Sequence, residues 1–147
     1  MKFKVLIVMF MMILTVGCSK DKTAITGSDF YDKAIEAEYK VVDNTSQFDY
    51  ADYVYSITKG DLKMYFVDGK KSYDIKGLFL DECANVYKNM TEEYDKSTSG
   101  GENWTTLKIK NDETFYYVSW IKDTYLYVEA PISKEKELKK FIDSIGY

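Results

Sequence analysis

The sequence predicts an α+β fold, in which an antiparallel β-sheet carries helices packed on one face. Apolar residues recur at helical spacing in three segments, near residues 28–39, 72–90 and 133–146. Between these segments, apolar and polar residues alternate as they do in strands. The turns between the last strands are too short for anything except antiparallel neighbours. The expected order of elements is αββαβββα.

The first helix and hairpin are predicted between residues 28 and 67. Residues 26–29 fit the capping-box pattern, so a helix is expected to begin near Ser28 and to end by about Tyr39. Residues 43–46 form a turn cluster. Residues 51–58 and 62–67 then alternate around Lys59-Gly60-Asp61, which predicts a β-hairpin.

A second helix and a polar segment follow. One face of the predicted helix carries apolar residues at helical spacing: Ile75, Phe79, Cys83, Val86 and Met90. Residues 91–103 are polar, with a Ser, Thr and Gly run at 97–101, and are therefore interpreted as a mobile loop.

Three strands and a helix complete the prediction. The strands are expected at residues 104–110, 114–121 and 124–130, and Pro131 ends the last one. Ser133 is a suitable N-cap for the final helix, and Gly146 a suitable residue just beyond its end.

Pairing rules assign side chains to the two faces of the sheet. A two-residue turn at Lys122-Asp123 places Trp120 opposite Tyr125 and Val118 opposite Tyr127. The other side is more aliphatic, and we expect the helices to cover it. For the preceding hairpin, a three-residue loop at residues 111–113 places Leu107 and Ile109 on that aliphatic side, whereas a two-residue loop would place lysines there. The three-residue loop is preferred.

The opposite face of the sheet then carries Tyr and Trp side chains, whose aromatic rings end in a polar group. Its candidate binding residues are Tyr65, Tyr116, Trp120, Tyr125 and Tyr127. One interpretation is that these rings stabilise the sheet through cross-strand pairs and that loops cover part of them. The other is a docking surface, because Tyr and Trp supply large contact areas at little entropic cost.

The amino-acid composition disfavours several classes of function. The chain of 147 residues contains 20 lysines, no Arg and no His. It therefore lacks the side chain that titrates near neutrality and the guanidinium that binds phosphate at two points. We expect no metal, no cofactor and no recognisable catalytic residue. The acidic balance disfavours nucleic acid as a partner.

Other chemical motifs are weak. Residues 19–22 and 133–136 match S-x-x-K, but neither of its companion motifs is present. Cys83 lies on an apolar stripe, where a free thiol behaves as a small hydrophobe. A pair of carboxylates would suffice for glycoside hydrolysis, although the sequence does not single out a pair.

The N-terminus has the layout of an export signal. Lys2 and Lys4 precede a 12-residue stretch, residues 5–16, that is apolar except for Thr15, which is too short to span a bilayer. It ends in Leu-Thr-Val-Gly-Cys at residues 14–18, which resembles the lipobox of bacterial lipoproteins except at Thr15. The alternatives are an ordinary cleaved signal or a buried first strand.

The resemblance to a lipobox implies a mature chain beginning at a lipidated Cys18. Residues 1–17 would then be a signal peptide, residues 18–27 a flexible tether and residues 28–147 a single domain. Residues 18–147 carry 18 lysines against 24 carboxylates, a net charge of −6. The resemblance also implies that the protein is held at the cell membrane, on its extracytoplasmic side, by acyl chains.

The chain also resembles small exported lipoproteins of Gram-positive bacteria. The likeness lies in Ser28-Asp29-Phe30 opening a helix, in the Ser/Gly segment before three Tyr-rich strands, and in the ending Leu138 to Tyr147. It supplies no catalytic residues. We therefore expect a lipid-anchored binding module, an adaptor or inhibitor that docks an envelope protein or polymer through the aromatic face. The alternative is a small envelope hydrolase that uses a carboxylate pair.

Overall fold

The computed structural model describes residues 20–91 and 93–147. Cys18 and the predicted signal peptide lie outside the described residues. The helices of the described chain are α1 (Gly27–Glu36), α2 (Ile75–Asn89) and α3 (Glu135–Ser144), and short 3-10 turns lie at Thr45–Gln47 and Ile132–Lys134. The strands are β1 (Lys40–Asp43), β2 (Ala51–Lys59), β3 (Leu62–Gly69), β4 (Asp95–Gly100), β5 (Trp104–Lys110), β6 (Thr114–Ile121) and β7 (Thr124–Pro131).

The strands form one antiparallel sheet in the order β1-β2-β3-β7-β6-β5-β4. Two meanders, β1 to β3 and β4 to β7, join where β3 pairs with β7. The predicted α+β class is confirmed, and the element order agrees except that β1 and β4 extend the sheet at its two edges.

One face of the sheet, here called the closed face, is covered by α1 and α3. Its core residues are almost inaccessible to solvent: Phe30, Phe66, Phe115, Leu126, Leu138 and Ile142. The Phe30 and Phe66 rings are stacked with their centroids 4.0 Å apart. Thr26 caps α1 by accepting a hydrogen bond from the Asp29 amide at 3.2 Å, as the capping pattern predicts.

The end of α3 also agrees with the sequence, but its beginning does not. Gly146 follows the helix with a φ of 82°, a left-handed conformation that glycine adopts without strain. Ser133 was predicted as the N-cap, but it lies within a 3-10 turn and α3 begins at Glu135.

The other face, here called the cleft face, is where α2 packs. Ile75, Phe79 and Val86 of α2 are buried against Leu107 and Val118 of the sheet. The prediction that helices share one face of the sheet holds for α1 and α3, whereas α2 packs on the opposite face. An apolar stripe on a helix identifies the side it buries but not the sheet face that receives it.

The register of two hairpins agrees with the pairing rules. Trp120 pairs with Tyr125 and Val118 with Tyr127 across β6 and β7. In the β2–β3 hairpin, Leu62, Met64 and Phe66 point to the closed face, as expected.

The register predicted for β5 was wrong. Asn111 Oδ1 accepts hydrogen bonds from the Glu113 and Thr114 amides, so the turn is tight and Lys110 pairs with Phe115. Leu107 and Ile109 consequently lie on the cleft face. Hydrophobicity did not identify the correct loop length, because both faces of β5 are buried and Leu107 and Ile109 are covered on either one. The lysines of β5 lie at the margin of the closed face, where their long side chains reach solvent.

The segment predicted as a mobile loop contains an edge strand. Residues 95–100 form β4 and pair with residues 105–110 of β5. All but Gly100 are exposed. A polar edge strand protects a sheet against pairing with other chains, and it carries no apolar alternation by which to recognise it.

Residues 20–26, predicted as part of a flexible tether, lie against the domain instead. The Lys22 amide donates to Asn103 Oδ1 at 3.0 Å, and Asn103 Nδ2 donates to the Lys22 carbonyl at 2.8 Å. Trp104 Nε1 donates to the Lys20 carbonyl at 3.2 Å. Ala24 and Ile25 pack against the closed-face core.

Candidate functional site: a tyrosine and carboxylate cleft

The cleft face is not fully covered. Helix α2 packs on β6 and β7, whereas Tyr65 of β3 remains 47% exposed on the same face. A pocket of about 680 Å³, here called the cleft, is lined by residues of α2, β2, β3 and β7 and of the segment at residues 44–50. Its lining includes Asn44, Gln47, Phe48, Tyr50, Lys63, Tyr65, Asp81, Glu82, Tyr125, Tyr127 and Glu129.

Tyrosines form the floor of the cleft. Tyr65 of β3 pairs with Tyr127 of β7, and their ring centroids lie 6.4 Å apart. Tyr65 is 47% exposed, Tyr127 is half-buried and Tyr125 is buried. Burial raises the pKa of Tyr125 and of Tyr127. Both phenols are therefore protonated at neutral pH and present no negative charge to a ligand.

Glu129 lies at one end of the cleft with two partners. Cross-strand pairing with β3 sets Lys63 beside it, and Lys63 Nζ lies 3.6 Å from Glu129 Oε1. The Tyr127 hydroxyl donates to Glu129 Oε2 at 2.9 Å. This carboxylate is thus held by one hydrogen bond and one partly exposed ion pair.

Helix α2 contributes two carboxylates without such partners. Asp81 is exposed and Glu82 is half-buried on the wall of the cleft. Neither forms an ion pair within residues 20–91 and 93–147. Burial raises the pKa of Glu82, and the charge of Glu129 adds to the rise, although the Asn85 side chain opposes it. Partial burial destabilises the ionised form of Glu82, and no ion pair with a cation of the described residues offsets this cost.

The side-chain amides of the cleft form hydrogen bonds with other groups of its lining. Asn44 Nδ2 donates to Ser56 Oγ at 2.6 Å, and Gln47 Nε2 donates to Asn44 Oδ1 at 3.4 Å. The cleft therefore presents aromatic rings, carboxylate oxygens and tyrosine hydroxyls to a ligand.

The structure brings together three of the five predicted binding residues. Tyr65, Tyr125 and Tyr127 line the cleft. Tyr116 and Trp120 are half-buried in the layer that packs against α2. Lys76 Nζ lies 4.8 Å from the centroid of the Trp120 ring, and the indole N–H donates to the Lys122 carbonyl.

Sequence reasoning missed the charged groups of the cleft. Pairing of β3 with β7 is what brings Lys63 to Glu129, and it joins residues far apart in sequence. Asp81 and Glu82 belong to a helix that had been assigned to the other face. The one signal in the sequence was the alternation along β3, which places Lys63 on the same face as Tyr65.

Among residues 20–91 and 93–147, the remaining thiol and the acidic side chains do not form a second reactive site. Burial raises the pKa of Cys83 to about 12, so its thiol is protonated and unreactive at neutral pH. Within the described ranges, no group of three or more acidic or Cys side chains is placed to hold a metal ion. None of the described helices is both long and apolar enough to cross a bilayer.

Comparison of the chain with protein-family models, with curated proteins and with solved structures finds no match. Any functional interpretation therefore depends on the geometry and chemistry of this molecule.

Proposed function

We propose that the protein is a lipid-anchored extracytoplasmic binding module of a bacterial envelope, an adaptor or inhibitor that holds its ligand in the cleft. The observation that supports this most is the cleft itself. Its volume of about 680 Å³ is within the range of small-ligand sites, and Tyr65 remains 47% exposed at its floor.

The chemistry of the cleft favours binding. Tyrosine rings offer contact area with few rotatable bonds, so ordering them against a ligand costs little entropy. Carboxylates at the rim supply directional acceptors that fix orientation. The cleft face thus combines apolar and polar contacts, whereas the closed face is buried beneath two helices.

The contacts of residues 20–26 determine how close a lipidated Cys18 would hold the domain to the bilayer. Two peptide units connect Cys18 to Lys20, a span of at most about 7 Å. The backbone of Lys20 is hydrogen-bonded to Trp104, and that of Lys22 to Asn103. With Cys18 lipidated, the end of the sheet that carries Asn103 and Trp104 lies beside the bilayer, and the domain has little freedom to move away.

Binding is tested by sedimentation of the purified mature chain with insoluble Gram-positive cell walls. We expect wild-type protein to co-sediment and Tyr65→Ser to lose most of that binding. Tyr31→Ser is the matched control, because Tyr31 is also exposed but lies on α1. Equal sedimentation of wild type and Tyr65→Ser would contradict the proposal.

The anchor is tested separately by mass spectrometry of protein recovered from bacterial membranes. We expect the N-terminal peptide to begin at Cys18 and to carry acyl chains, and we expect Cys18→Ser to be released from the membrane fraction. An intact N-terminus with an unmodified thiol would contradict this part of the proposal.

A small envelope hydrolase is the second candidate, and one observation favours it. Glu82 and Glu129 line the same cleft, and the charge of Glu129 contributes to the raised pKa of Glu82. Carboxylates with different environments divide the roles of acid and base in glycoside hydrolysis. Glu82 would be the acid and Glu129 the base or nucleophile.

Release of soluble fragments from dye-labelled cell walls distinguishes the two candidates. The binding proposal predicts no release by wild type above that by Glu129→Gln. Release that depends on Glu129 and Glu82 would favour the hydrolase.

A further inference from the structure

We propose that the ligand held in the cleft carries a primary ammonium group, on a small amine or on an envelope polymer. This inference rests on the proposed function and names the chemical class that the cleft accepts.

Charge is the first argument. The cleft is lined by the carboxylates Asp81, Glu82 and Glu129 and by one cation, Lys63. Lys63 is paired with Glu129. The remaining two carboxylates, both on α2, give the cleft a net negative charge, which attracts a cation and repels phosphate, sulfate and carboxylate ligands.

Hydrogen-bonding capacity is the second argument. An ionised carboxylate only accepts hydrogen bonds, and a primary ammonium group only donates them, three at a time. Asp81 and Glu82 supply such acceptors in the lining of the cleft. A hydrogen bond between two charged groups is stronger than one from a neutral hydroxyl, so these carboxylates favour an ammonium group over a neutral polyol.

The aromatic floor is the third argument. A cation is attracted to the face of a tyrosine ring, and the attraction strengthens where water is excluded. Tyr65 and Tyr127 lie side by side in a tilted arrangement near the half-buried Glu82 wall. An ammonium group between these rings and Glu82 would compensate the half-buried charge that no cation of the described chain balances.

The test is an NMR titration of the ¹⁵N-labelled mature chain, in nonionic detergent, with 1,5-diaminopentane. The neutral isostere 1,5-pentanediol and the anion glutarate are titrated in parallel. We expect the diamine to shift cleft resonances and to bind at least tenfold more tightly than the diol, with no binding of glutarate. Diol binding equal to diamine binding, or no diamine binding, would overturn the inference.

Matched variants localise the effect. Glu82→Gln should weaken diamine binding at least tenfold, whereas Glu36→Gln, which removes an equivalent charge on α1, should leave it unchanged. An unchanged affinity in Glu82→Gln would also overturn the inference.

Cell walls whose amines have been acetylated identify the source of the ammonium group. Loss of sedimentation after acetylation supports a polymer amine, and retention together with diamine binding supports a small amine. Sedimentation that depends on Tyr65 without diamine binding would leave the proposed function standing and overturn only the ammonium ligand.

Discussion

The two faces of the sheet are built from alternating residues of the same strands and yet differ in how far helices cover them. Along β3, Phe66 is fully buried beneath α1 and α3, whereas Tyr65 beside it is 47% exposed in the cleft. Two helices close one face, while a single helix covers only part of the other. The comparison indicates that β3 contributes more to stability through its closed-face residues, whereas its cleft face leaves part of its surface accessible.

The largest expected effect is at the closed face. Phe66→Ala should lower the free energy of unfolding by about 3–5 kcal/mol, because it leaves a cavity beneath the stacked Phe30 ring. Tyr65→Ser should lower it by about 1 kcal/mol or less, because about half of the residue is exposed and only one cross-strand ring pair is lost. Urea denaturation measures both, and comparable losses would contradict the division between the faces.

A smaller effect is expected where residues 20–26 meet the domain. Asn103→Ala removes two hydrogen bonds to Lys22 and should cost about 1–2 kcal/mol. Hydrogen exchange of the Lys22 amide should accelerate far more than that of the core strands. Asn89→Ala, at the exposed end of α2, is the control. Unchanged exchange at Lys22 in Asn103→Ala would show that the contact is not formed in solution.

The fold should gain stability when the half-buried charge of Glu82 is removed. Because the pKa of Glu82 is raised in the folded state, ionised Glu82 destabilises the fold once pH exceeds its ordinary pKa. Glu82→Gln should therefore be more stable than wild type at pH 7, by less than about 1 kcal/mol because water screens the carboxylate.

Thermal denaturation across pH measures this difference. It should shrink as pH falls through the raised pKa of Glu82 and vanish below the ordinary range, where wild-type Glu82 is protonated in both states. A variant that is less stable than wild type at pH 7 would contradict the assignment of an uncompensated charge.

The smallest expected effect concerns the margin of the closed face. Lys110 Nζ lies 3.5 Å from Glu135 Oε2 on α3, which is the contact that the corrected β5 register creates. Lys110→Ala should lower stability by about 0.5 kcal/mol or less, since the pair is partly exposed. The loss should disappear in high salt. A salt-independent loss would indicate packing by the lysine stem instead.

Much of the fold was predictable because local patterns agree with the tertiary structure. The Lys122-Asp123 turn sets the β6–β7 register, and the capping residue Thr26 begins α1. These features depend on residues close in sequence, where turn length and spacing are informative.

The remaining features depend on long-range packing. Leu107 and Ile109 are buried, but either face would bury them, so hydrophobicity did not decide their register. The polar strand β4 carries no apolar alternation. For the cleft, the tyrosines were predicted from their common face, whereas Glu82 required knowing where α2 packs.

The most direct test of the central claim is a map of chemical-shift changes caused by soluble cell-wall fragments. Titration of the ¹⁵N-labelled mature chain should shift the amides of Tyr65, Glu82 and Tyr127 and leave those of α1 and α3 unchanged. Shifts confined to the helices of the closed face, or no shifts at saturating fragment, would contradict the assignment of binding to the cleft.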